Sequence, residues 1–169
     1  MRNKMGIYLL ISLLVIIIDA ATKWWIKSEM NYGESIQVIG DFFRITSHRN
    51  LGAAFGILQN QRLFFIIITI VIVIGIVWFL RKSVQEQNKF LSFALSLLLG
   101  GAIGNFIDRA TTGEVVDFFD FYFAFIDYHF PIFNIADCAI VIGVCMLILD
   151  NLLLWRKEKK ESVMKHEQS

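Results

Sequence analysis

Leu63-Phe64-Phe65-Ile66-Ile67-Ile68-Thr69-Ile70-Val71-Ile72-Val73-Ile74-Gly75-Ile76-Val77-Trp78-Phe79-Leu80 is an apolar run without a charge. A bilayer-spanning helix needs about 20 such residues, so this run decides the class. Three more stretches match it in length. One runs from about Met5 to Ile26, apolar to Ile18 and then broken by Asp19 and Lys23. Phe90 to Ile107 carries no charge. Pro131 to Trp155 carries Asp137 near its start and Asp150 near its end. The expected fold is a mainly α membrane protein of four transmembrane helices. It forms one membrane domain over residues 1–155, with a charged tail over 156–169 that reads as a solvated, partly disordered end.

Composition agrees. Of 169 residues, 56% are hydrophobic, and the mean hydropathy is +0.60. A soluble domain of this size could not cover so much apolar surface. A net charge of +1 gives no case for a nucleic-acid partner. Cys138 and Cys145 lie two helical turns apart, too far to bridge, and read as buried apolar thiols. The first span resembles a signal peptide, but Asp19-Ala20-Ala21-Thr22-Lys23 offers a poor cleavage site, so a retained helix is expected.

Basic residues set the expected orientation. Arg2 and Lys4 precede span one, Arg81, Lys82 and Lys89 link spans two and three, and Arg156, Lys157, Lys159, Lys160 and Lys165 follow span four. Both termini are then cytoplasmic, and segments 27–62 and 109–130 face out. In the first, Ser35 to Ile39 and Phe42 to Thr46 flank a Gly40-Asp41 turn signal, which predicts a small extracytoplasmic antiparallel β-sheet. The second is an aromatic-rich outer loop, with Phe118, Phe119, Phe121, Tyr122, Phe123, Phe125, Tyr128 and Phe130. Those rings suit anchoring in the headgroup layer, or a greasy wall for a lipid-bearing ligand.

Ionisable groups at membrane depth are costly, and two aspartates stand out. They are Asp117 in Val115-Val116-Asp117-Phe118 and Asp137 in Phe133-Asn134-Ile135-Ala136-Asp137. If they share one proton, one is an acid and the other a base. Asn134 and Asp137 also fit a capping box at the start of span four, a purely structural role. Capping does not account for Asp117. In span three, Gly100 and Gly104 have the small-x-x-x-small spacing of close helix packing. Asn105, Asp108 and Arg109 share one helix face, as interface charges or as support for a site. Asp19 and Lys23 are spaced as an intrahelical ion pair. Asn50-Leu51-Gly52-Ala53-Ala54-Phe55-Gly56 allows close backbone approach to a ligand, or is a re-entrant turn. His48, His129 and His166 lack metal-ligand spacing, and no phosphate-cradling loop or nucleophile elbow is present. Neither metal nor cofactor is expected.

Taken in order, these islands resemble lipoprotein signal peptidase, the type II signal peptidase of bacterial membranes. The resemblance covers residues 19 to 137 by motif and nearly the whole chain by span layout. It implies an aspartyl endopeptidase that removes signal peptides from prolipoproteins, cutting before a cysteine that carries a diacylglyceryl group. By the same resemblance Asp117 and Asp137 are the catalytic carboxylates. Asp19, Lys23, Asn50, Gly52, Asn105, Asp108, Arg109 and Asn134 bind substrate or brace the site. The implied partners are the prolipoprotein and membrane lipid, with no obligate protein partner. The implied setting is the extracytoplasmic face of the bacterial plasma membrane. Residue 138 is Cys where many relatives have Ser; it follows Asp137 and is expected to point to a different helix face, so little consequence is expected. The rival reading is a proton-coupled carrier that uses Asp117 and Asp137 as an ion relay. Spans two and three carry almost no polar residue at mid-depth, which argues against it.

Overall fold

The computed structural model describes residues 2–52 and 58–167. Four helices, α1 (Arg2–Glu29), α2 (Arg62–Gln85), α3 (Lys89–Thr111) and α4 (Ile135–Glu167), make up most of the chain. Each contains a stretch long and apolar enough to cross a membrane. In such a setting the backbone must satisfy its own hydrogen bonds, which a helix does. α2 is the most outward-facing, with Leu63, Ile67, Val71 and Ile74 all exposed.

α3 is the hub and packs against the other three helices. Glycines make that possible. A Cβ at Gly100 would stand 2.7 Å from the Val15 Cβ of α1, and one at Gly104 would stand 2.7 Å from an Asp19 carboxylate oxygen. The spacing read from sequence is therefore a close-packing stripe. Gly101, which that reading passed over, is tighter still, since a Cβ there would collide with the Ala136 carbonyl oxygen of α4. α3 starts at Asn88, whose side chain caps the helix by accepting from the Leu91 amide at 3.0 Å.

At the end of the bundle where α1 and α3 finish, a four-stranded antiparallel sheet forms in the order β1-β2-β3-β4. Its strands are β1 (Ser35–Ile39), β2 (Phe43–Asn50), β3 (Val115–Phe123) and β4 (Tyr128–His129). The β1–β2 hairpin matches expectation, with Gly40 at φ +48° in its turn. Three expectations need correction. β2 runs past Thr46 to Asn50, because it also pairs with β3 along that length. The aromatic segment is largely strand, since β3 finds a partner on each side. Span four does not begin at Pro131. Residues 131–134 run extended, Phe133 bridges to Phe119, and the helix starts only at Ile135.

The tail also differs from expectation. α4 continues to Glu167, as helix-favouring Lys, Arg and Glu residues allow. Of the two cysteines, Cys145 is exposed and Cys138 half-buried, because α4 turns a broad face outward. Many of the aromatic rings pack on one another. Phe43 stacks on Phe121 at 4.7 Å, and Phe121 on Phe133 at 5.8 Å. Phe125 meets Phe123 edge-on at 6.1 Å and still presents most of its surface outward, at 83% exposure.

Candidate active site

Strand alternation places Asp117. Val116 and Phe118 turn to one side of β3 and pack with Ile26 of α1 and with Met30 just beyond its end. Asp117 therefore points to the other side, the wall of a cavity of about 540 Å³. Asp137 reaches the same cavity from the first turn of α4, and Asn50, Asn105 and Arg109 line it too. The two aspartates, 20 positions apart in the chain, thus open on one space. The rest of the wall is mostly apolar, from Phe130, Pro131, Ile132 and Phe133 before α4 and Ile140, Val141 and Ile142 within it. Cys138 is also in the wall, so residue 138 faces the cavity, against the expectation that it points elsewhere.

Asn134 joins the two carboxylates. Its side-chain amide donates to Asp117 Oδ1 at 2.6 Å. Its backbone N–H donates to Asp137 Oδ2 at 3.2 Å, while its Oδ1 accepts from the Asp137 N–H at 3.0 Å. The capping box is therefore real, and it does not compete with a site role. The bonds that start α4 also fix Asp137. Asn134 is fully buried, as expected of a polar group with so many partners.

Each remaining predicted residue falls on this framework. Asn50, at the end of β2, donates to Asp117 Oδ2 at 3.0 Å, and its own Oδ1 accepts from the Gly52 N–H at 2.9 Å. The Gly52 carbonyl in turn accepts from Arg109 Nη2 at 3.1 Å. Arg109 also lies over the Phe65 ring at 4.7 Å. Asn105 donates to Asp137 Oδ1 at 2.7 Å. Asp19 is more than an intrahelical partner of Lys23. It pairs with Lys23 at 2.7 Å and also accepts from the Ala136 N–H at 2.9 Å. Lys23 pairs with Asp108 at 2.9 Å as well. Ala53, Ala54, Phe55 and Gly56, read as allowing close approach, lie outside the described residues.

The electrostatics single out Asp117. Burial, and then the negative charge of Asp137, push the Asp117 carboxyl up to about 7. The hydrogen bonds from Asn50 and Asn134 and the cation of Lys23 pull the other way and lose. Asp117 is 1% exposed, whereas Asp137 is only half-buried. His48 stands opposite Asp117 in register on β2, and burial and its neighbour Arg49 push it below the usual imidazole value. One proton shared between two carboxylates is the arrangement that water-activating aspartic hydrolysis needs. Among the described residues no group of three or more His, Cys, Asp and Glu side chains could hold a metal ion.

Sequence reasoning missed the aliphatic wall. Ile140, Val141 and Ile142 carry no signal that tells a cavity lining from a lipid-facing turn of a span. It also missed Ala136, whose N–H and carbonyl are contact points for α1 and α3.

Known proteins resemble this chain in sequence and fold. Residues 11–153 match the family described as signal peptidase (SPase) II. A lipoprotein signal peptidase of Brevibacillus brevis is 55% identical over 152 residues, covering 90% of this chain and 99% of that one. The lipoprotein signal peptidase of Bacillus subtilis is 48% identical over 155 residues, covering 92% and 99%. A solved structure of a bacterial membrane enzyme at 49% identity superposes with a TM-score of 0.78, covering 87% of this chain and 88% of that one. With a multi-pass helix bundle, an aspartate-lined cavity and this degree of likeness, the chain belongs to the signal peptidase II family of aspartic peptidases.

Proposed function

We propose that this protein removes signal peptides from prolipoproteins, cleaving before a cysteine that carries a diacylglyceryl group, with Asp117 and Asp137 as the catalytic pair. The observation that carries this reading is the joint opening of both carboxylates on one largely apolar cavity. A peptide carbonyl can meet the acids there, while the apolar wall offers acyl chains or a signal-peptide helix an alternative to lipid. Family membership supports this peptidase reading and gives no support to the carrier. The basic residues at the opposite end of the bundle support placing the sheet and cavity at the extracytoplasmic face, with both termini inside.

The chemistry assigns unlike roles to unlike acids. Asp137, ionised, takes a proton from a water molecule, whose oxygen attacks the scissile carbonyl. Asp117 holds the other proton and gives it to the developing oxyanion. Collapse returns that proton to Asp117 and passes the one on Asp137 to the leaving amine. The pair ends as it began. Asn134, Asn105 and Asn50 hold the carboxylates in place and move no proton themselves.

The test is reconstitution in vesicles with a prolipoprotein, with and without the diacylglyceryl group. Release of signal peptide only from the modified precursor is expected. Equal cleavage of both forms would remove the lipid from the reading, and cleavage of neither would remove the peptidase.

A pH prediction follows from Asp117. An acid with its pKa raised to about 7 is protonated below that pH and ionised above it. If the protonated form is the working one, kcat/KM falls as pH rises through about 7. Asn50→Ala removes a hydrogen bond that favours the ionised form. The alkaline limb is then expected to move upward by about half to one pH unit, the size of one hydrogen bond's contribution. The limb belongs to the coupled pair, so the readout is its displacement between parent and variant. A limb that stays put or moves downward contradicts the assignment of the proton to Asp117.

A further inference from the structure

Lys23 is almost fully buried, at 3% exposure, and touches neither carboxylate of the proposed pair. Its ammonium has three protons and three acceptors. They are Asp19 Oδ2 at 2.7 Å, Asp108 Oδ2 at 2.9 Å and Asn105 Oδ1 at 3.0 Å. An ammonium only donates, so the carbonyl end of the Asn105 amide must face it. The amino end is then forced toward Asp137, where it donates to Oδ1 at 2.7 Å. The same Asn105 oxygen also accepts from the Asn134 side chain at 3.1 Å, and that side chain donates to Asp117. The cation thereby fixes which way round the Asn105 amide lies, while Asn134, whose own Oδ1 accepts from the Asp137 N–H, adds a second donor to the same Asn105 oxygen.

The counterions of Lys23 do related work. Asp19 Oδ1 accepts from the Ala136 N–H at 2.9 Å, and Asp108 Oδ2 from the Val116 N–H at 3.4 Å. Each is the peptide N–H of the residue immediately before an aspartate of the pair. The buried triad Asp19–Lys23–Asp108 thus grips the chain one residue upstream of Asp137 and of Asp117. By formal charge, two carboxylates and one ammonium, it amounts to −1.

We infer that Lys23 is a positioning residue for peptide hydrolysis: its ammonium sets the amide orientation of Asn105, and with it the donor presented to Asp137. The inference rests on the peptidase reading above. It goes beyond charge neutralisation, which any cation in the triad would supply.

Two variants separate positioning from neutralisation. Lys23→Met leaves two buried carboxylates without their cation and is expected to lower thermal stability as well as rate. Lys23→Met combined with Asp108→Asn restores the net charge of the triad but leaves Asn105 without its steering donor. This double variant is expected to regain much of the thermal stability and to stay about 100-fold below the parent in kcat, with KM within about twofold, the pattern of misplaced reacting groups rather than lost binding. If the double variant folds and cleaves at the parent kcat, Lys23 only balances charge and the inference is overturned. A measurement on the parent protein decides the matter even if both variants fail to fold. The side-chain amide protons of Asn105, followed by NMR in micelles, are expected to shift as the carboxylate pair ionises. If they do not respond, the Asn105 amino end does not face Asp137 and the inference falls. Failure of the parent to cleave any lipidated precursor would instead overturn the proposed function, while the amide measurement would still report on the orientation.

Discussion

Asp137→Asn and Asp117→Asn are each expected to lower signal-peptide release by about 10³-fold or more, with the bundle still folded. The reason differs between the two. Asn at 137 cannot take a proton from water, so the nucleophile is lost. Asn at 117 cannot give a proton to the oxyanion, and its amino group, at one of the two oxygen positions, would meet a donor from Asn134 or Asn50. With the acids acting as the proposed unit, the double variant is expected to be little worse than either single one. The measurement is release of signal peptide from a lipidated precursor, beside a melting curve for each variant. A folded single variant within about tenfold of the parent rate would show that the pair is not the catalytic centre.

Asn134→Ala is expected to have the next largest effect, and on two observables at once. It removes the side-chain cap of α4, worth about 1 kcal/mol. It also deprives the buried Asp117 Oδ1 of its 2.6 Å donor, and an unsatisfied buried group costs about 1–3 kcal/mol. A stability loss of about 2–4 kcal/mol is expected, together with a rate loss of about 100-fold from the misplaced carboxylate. Asn134→Ser separates the two. A serine hydroxyl caps a helix well but is too short to replace the Nδ2 contact with Asp117. It is expected to recover roughly the cap's share of the stability and little of the rate. Full recovery of rate in the serine variant would show that Asn134 serves α4 alone.

The helices and the polar islands could be read from the sequence because the physics behind them is local. A run such as Leu63 to Leu80 has one use, and a charged or amide side chain within such a run demands a partner. The capping box was equally legible, because Asn134 and Asp137 stand at a fixed spacing. What could not be read was the outcome of competition between distant segments. β3 reads as an aromatic loop until β2 lies beside it, so a strand looked like an anchor. Residues 131–134 read as the first turn of a span until Phe133 bridges to Phe119. The cavity wall from Ile140 to Ile142 stayed hidden for another reason. Facing lipid and facing a lipid-like cavity ask for the same side chains. Cys138 was misjudged for a related reason, since its facing depends on where α4 begins.

The capping box at the head of α4 has a consequence for watching the enzyme at work. The amides of Asn134 and Asp137 are bonded by the same two side chains that arrange the site, so neither can exchange its hydrogen with solvent unless that arrangement opens. Their exchange rates are therefore a gauge of how often the proposed catalytic geometry comes apart, available without substrate. An inhibitor that fills the cavity would slow those two amides together, and one that binds elsewhere would leave them as they are.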